Sequence, residues 1–60
     1  MNTIKGVLMS RDGLTAEEAD IDIAECKADL HERIERGDNS SYDICEEYFG
    51  LEPDYLMELI

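Results

Sequence analysis

Apolar residues recur at steps of three and four through the centre of the chain. Ala16, Ala19, Ile23, Cys26, Leu30 and Ile34 fall on one side of a helix. The stretch from Thr15 to Arg36 holds no Gly or Pro and is closed by Gly37. Thr15 followed by Glu18 has the form of a capping box, in which the Thr oxygen meets the Glu18 backbone donor and the Glu reaches back. Gly37 supplies a left-handed stop, with Arg33 and Arg36 in the last turn, where the helix dipole favours cations. This pattern predicts one long helix over about residues 15–36, roughly 33 Å at 1.5 Å per residue.

Shorter elements flank it. Asn2 or Thr3 can cap a first helix over about Thr3 to Ser10, with Ile4, Val7 and Leu8 inward and Met9 adjoining. Arg11-Asp12-Gly13 forms a turn, and Leu14 can staple onto the first turn of the long helix. After Gly37, Ser40 as N-cap places Asp43 at the third helical position of a helix over about Ser41 to Phe49. Ile44, Cys45, Tyr48 and Phe49 give that helix its apolar face, and Gly50 ends it. Pro53 then suits the first position of a last helix, with Leu51 stapled to Leu56 and Tyr55, Leu56, Leu59 and Ile60 apolar. The expected fold is all-α: a single domain, residues 1–60, in which three short helices pack on one long central helix. Short connections suit antiparallel neighbours.

Size and charge narrow the function. A 60-residue chain builds a small core and has little room for a deep pocket. Sixteen Asp and Glu against five Lys and Arg give a formal charge of −11. The imbalance is uneven: residues 1–14 carry +1, residues 15–36 carry −5, and residues 37–60 carry −7 with no Lys or Arg at all. Direct binding to nucleic acid or to an anionic membrane is disfavoured, since the phosphate interaction would be repulsive. Two cysteines, Cys26 and Cys45, are too few for a disulfide scaffold, and both fall on apolar faces as buried thiols. The apolar run near the start is too short for a signal peptide and no segment is long enough to span a bilayer. A soluble, cytoplasmic protein is therefore expected.

The chemistry-bearing pattern is an acidic stripe. Glu18, Asp22, Glu25, Asp29 and Glu32 recur at steps of four, three, four and three along one side of the long helix. Like charges at that spacing destabilise an isolated helix, and only Asp29–Arg33 and Glu32–Arg36 offer the favourable order for a pair. The stripe is either an ordinary solvated face or a row of carboxylates presented to a basic groove in place of a phosphate backbone. Asp43, Glu46 and Glu47 extend the field into the second half of the chain. Tyr48, Phe49 and Tyr55 have core spacing, whereas Tyr42, beside a helix start, is a candidate contact anchor. Ile21 lies off the main apolar stripe, as a second packing face or a dimer contact.

Other chemistries lack their residues. His31 is the single histidine and has no zinc-type partner spacing, so no metal site or cofactor is expected. Asp20-x-Asp22 lacks the glycine of a calcium loop, and Arg36-Gly37-Asp38 reads as a helix stop rather than an adhesion tripeptide. No nucleophile–base pair and no glycine-rich phosphate loop are present, so an enzyme is not expected.

Arg11-Asp12-Gly13-Leu14-Thr15 with Glu17-Glu18-Ala19, and the run from Tyr48 to Leu56, YFGLEPDYL, resemble a pattern in short acidic proteins of phages and mobile elements. In size and charge the chain is also similar to anti-CRISPR proteins that mimic DNA. That resemblance implies a stoichiometric inhibitor, monomer or dimer, that occupies the DNA- or RNA-binding site of a host defence complex such as a CRISPR effector. Glu18, Asp22, Glu25, Asp29, Glu32, Asp43, Glu46 and Glu47 are the expected contacts. The alternative is a small interaction module or dimerising subunit that docks through an apolar face, with Ile21 and Met57 as candidates.

Overall fold

The computed structural model describes residues 3–60. Helix α1 runs Ile4–Arg11, α2 runs Ala16–Glu35, and α3 runs Ile44–Phe49. Two 3-10 segments, Asn39–Asp43 and Pro53–Glu58, precede and follow α3. Among the described residues there is no strand, and the architecture is a small all-α bundle around α2. The 20-residue α2 sets the long axis of a molecule 33 × 19 × 16 Å in extent.

Both ends of α2 form as the sequence requires. The Thr15 hydroxyl accepts from the Glu18 N–H at 3.1 Å, and the Glu18 carboxylate accepts from the Thr15 N–H at 2.9 Å. At the other end Gly37 adopts φ 69°, where a side chain would be strained. Its N–H donates to the Ile34 carbonyl at 3.0 Å, and the Asp38 N–H donates to the Arg33 carbonyl at 2.9 Å. These are the two bonds of a Schellman stop.

The short elements depart from expectation in informative ways. Thr3 caps α1, accepting from the Gly6 N–H at 3.0 Å; Asn2 lies outside the described residues. The first-turn N–H of Ile4, which has no partner within the helix, donates to Glu58 at 3.1 Å, so a carboxylate 54 residues away serves the positive end of α1. At its far end α1 includes Arg11, one residue beyond Ser10, and that guanidinium donates to the Phe49 carbonyl at 2.6 Å. The third helix is not capped by Ser40. Asp38 instead caps the 3-10 segment before it, accepting from the Ser40 N–H at 2.8 Å, because an Asp side chain readily reaches the N–H two residues on. That capture tightens residues 39–43 into a 3-10 turn and delays α3 to Ile44. The last element is likewise 3-10 rather than α-helical.

The core comprises Ile4, Leu8, Ala19, Cys26, Leu30, Ile44, Cys45, Phe49 and Leu59. Leu14, Ile23, Leu51, Tyr55 and Leu56 pack at its edge. Four expected core positions are exposed instead: Ala16, Ile34, Tyr48 and Ile60. Ala16 and Ile34 lie five helical turns apart and both sit roughly 80° round the α2 axis from Cys26. Elements as short as α3 and the 3-10 segments cover the centre of the stripe and not that edge. Ile21 is also exposed, so the short helices do not use it as a second packing face.

The burial difference makes a direct comparison. Leu30→Ala should cost about 2–5 kcal/mol, comparable with the few kcal/mol available to a domain this small. Urea titration followed by circular dichroism should find that variant largely unfolded. At a chain concentration too low for self-association to add stability, Ile34→Ala should stay within about 0.5 kcal/mol of the parent, because Ile34 has little packing to lose within the chain.

Candidate partner-binding surface

The expected acidic residues separate into those with an intrachain partner and those without. Glu18 belongs to the capping box, and the Thr15 backbone N–H holds its carboxyl below the usual range. Glu32 pairs with Arg36 at 3.7 Å. Asp29 receives two parallel bonds from Arg33, at 3.2 and 3.1 Å, the fork geometry that arginine matches to a carboxylate. Both favourably ordered helical pairs of the sequence therefore form.

Arg33 does more than close a helical pair. Its guanidinium also donates to the Ser40 carbonyl at 3.2 Å and to Glu47 at 2.6 Å. Tyr48 donates its hydroxyl to Asp29 at 2.7 Å. The four side chains Tyr48, Asp29, Arg33 and Glu47 thus join α3 to the last turns of α2. The Tyr48 bond first, and Arg33 second, hold the Asp29 carboxyl below its ordinary range. The same hydrogen bond to Asp29 raises the Tyr48 hydroxyl. Tyr48 is 42% exposed because its polar tip bonds Asp29 at the surface, whereas the sequence spacing places it in the core.

This junction brings the two acidic groups together. Glu25 and Asp22 stand one and two turns before Asp29, exposed and without an ion pair or side-chain hydrogen bond among the described residues. Asp43, Glu46 and Glu47 line one shallow depression of about 370 Å³ with Ser40, next to the network. Asp43 occupies the N-cap position of α3 but makes no capping bond. Asp43 and Glu46 also lack a cationic partner among the described residues. The result is an acidic band from Asp22 to Glu46 with Arg33 embedded near its middle. Tyr42, 66% exposed, precedes Asp43 in the same 3-10 turn.

Among the described residues no three His, Cys, Asp or Glu side chains come together to hold a metal ion. Cys26 and Cys45 are free and fully buried. Burial first, and the neighbouring Cys45 second, push the Cys26 thiol up to about 11, so it is not a nucleophilic thiolate at neutral pH. No helix among the described residues is long and apolar enough to cross a membrane.

Comparison with protein-family models, with curated proteins and with solved structures gives no match.

The network that sequence reasoning missed is tertiary. Arg33 was legible as a partner for Asp29, four residues away, but its reach to Ser40 and Glu47 depends on the 3-10 turn that folds them back. The Asp29 carboxylate gives a pH signature. Its folded pKa is depressed, so its contribution to stability is present above the unfolded value of about 3.9 and is lost as pH falls through the lower folded value. Tyr48→Phe removes the largest cause of that depression. Carbon-detected NMR titration should find the Asp29 carboxyl protonating at higher pH in Tyr48→Phe than in the parent; coincident curves would contradict the role given to the hydroxyl.

Proposed function

We propose that this chain is a non-catalytic inhibitor that docks its acidic band on the basic nucleic-acid-binding surface of a partner protein. The observation that carries the reading is that the band keeps four exposed carboxylates without a cation: Asp22 and Glu25 on α2, and Asp43 and Glu46 at the start of α3. Carboxylates one helical turn apart, about 5–6 Å, present charge at intervals that Lys and Arg side chains of a phosphate-binding groove can meet. Arg33 and Arg36 are occupied by Asp29, Glu47 and Glu32, so they leave that field intact on either side. Binding would be stoichiometric, would need no cofactor, and would exclude nucleic acid by occupying its site. The geometry supports a basic groove as a class; a CRISPR effector complex as its owner rests on the resemblance in size and charge.

Capture on tagged protein from a nuclease-treated bacterial lysate, eluted by rising salt, tests this reading. The expected eluate contains a nucleic-acid-binding protein released below about 0.5 M salt, where a Debye length of a few ångströms screens surface charge. The quadruple variant Asp22→Asn, Glu25→Gln, Asp43→Asn and Glu46→Gln should capture at least about tenfold less of it, since several screened contacts are lost together. Equal capture by the variant, with its helical spectrum unchanged, would remove the acidic band from the interface.

A further inference from the structure

Lys27 is the one cation without a carboxylate partner among the described residues. Lys5 pairs with Asp20, Arg11 with Asp12, Arg33 with Asp29 and Glu47, and Arg36 with Glu32. In a chain with sixteen acids this is a consequence of position. The residues three and four places from Lys27 on α2 are Ile23, Ala24, Leu30 and His31, none of them acidic. Glu35, two turns further on, has the converse surroundings: His31, Glu32, Asp38 and Asn39 offer it no Lys or Arg. Neither charge can be answered within its own helix.

Lys27, His31 and Glu35 are all exposed and follow one another at steps of four. They form a ridge on the side of α2 away from the acidic band. Beside the ridge lies an open groove of about 240 Å³ lined by Leu30, His31, Ile34, Glu35 and Ile60. Ile34 is 54% exposed and Ile60 is 81% exposed, so two large aliphatic side chains stand in solvent at this groove.

A ridge with a positive end, a negative end and a residue midway between them is self-complementary under a two-fold axis. Two copies of α2 laid antiparallel, with the axis at His31, set each Lys27 against the Glu35 of the other copy. The same arrangement turns both Ile34–Ile60 grooves toward the facing chain. We infer that this flank of α2 is the interface of a symmetric homodimer. A basic helix in the groove would set its cations against Lys27, and an acidic one would meet Glu35. A second copy answers both at once, as an isologous contact must. The ridge also carries no net charge in a −11 chain, because Lys27 and Glu35 cancel. An interface of roughly 600 Å² per protomer, at the low end for specific association, would cover about a seventh of the 4160 Å² surface. The acidic bands stay outward on both protomers, so the inference stands whether or not they bind a partner.

Sedimentation equilibrium of the full chain from ~10 µM to ~1 mM tests it, a range that reaches weak association of the kind interfaces at the low end of size support. The expected mass rises from 6.8 kDa toward twice that value. Lys27→Glu and Glu35→Lys should each weaken the dimer at least about tenfold, since both symmetric contacts become repulsive. The double variant Lys27→Glu with Glu35→Lys should restore it, an outcome that general damage to the helix cannot produce. Ile34→Asp should leave a monomer with the parent helical spectrum; if that variant unfolds, the charge-reversal set decides alone. A parent monomeric at the highest concentration, or a double variant no better than the singles, overturns the proposal. So does a monomeric parent whose groove binds a synthetic Lys/Leu amphipathic peptide.

Discussion

Arg33 sits where three elements meet, with its guanidinium shared among Asp29, the Ser40 carbonyl and Glu47. Its importance follows from the distribution of charge. Residues 37–60 contain no Lys or Arg and carry −7, yet they must fold back on a helix segment that carries −5. Burial of Ile44, Cys45, Phe49 and Leu59 drives that closure. The cations that accompany it can come only from the first 36 residues. Arg33 reaches Glu47, and Arg11 reaches the carbonyl end of α3 at Phe49. Glu58 returns the tie in the opposite sense by meeting the N–H end of α1. The second half is thus held by apolar packing in the middle and by charge-assisted bonds at its ends.

The same arginine shapes the surface. Asp29, Arg33 and Glu47 together carry a single negative charge, so the band is not a uniform row. It has one acidic lobe at Asp22 and Glu25 and another at Asp43 and Glu46, separated by a hydrogen-bonded and nearly neutral junction. A partner would feel two patches held at a fixed relation by the junction. Preorganisation of this kind lowers the cost of ordering side chains on association.

Much of the fold was legible because its signals are local. The Thr15–Glu18 box and the Gly37 stop bound α2 within a residue of the periodic pattern. Gly50, at φ 66°, ends α3 where its position suggests. The failures occur where a tertiary partner or a competing local bond intervenes. Asp38 outcompeted Ser40 for the cap because it stands directly behind the Gly37 turn. Tyr48 has core spacing, yet the Asp29 carboxylate holds its hydroxyl at the surface. Ile34 belongs to the apolar stripe by periodicity but lies at its edge, and no element of this short chain is long enough to reach over it. The acidic stripe was fully legible as a pattern. Which of its members are neutralised was not, because Glu47 finds Arg33 only through the fold.

The two sides of α2 therefore differ in how their charges are answered. On the banded side, carboxylates outnumber the cations available to them, and the excess is directed outward. On the other side, one cation and one carboxylate stand two turns apart with no ion-pair partner among the described residues, beside aliphatic side chains that the core does not cover. A chain of this size gains little stability from its own core, and association of the folded form adds to that stability by mass action. Repulsion between two −11 chains opposes such association. It is least where the approaching surfaces are locally neutral and the acidic bands face away. The Lys27–Glu35 ridge meets both conditions, so the charge distribution that keeps most of this surface from pairing with itself leaves one flank on which it can.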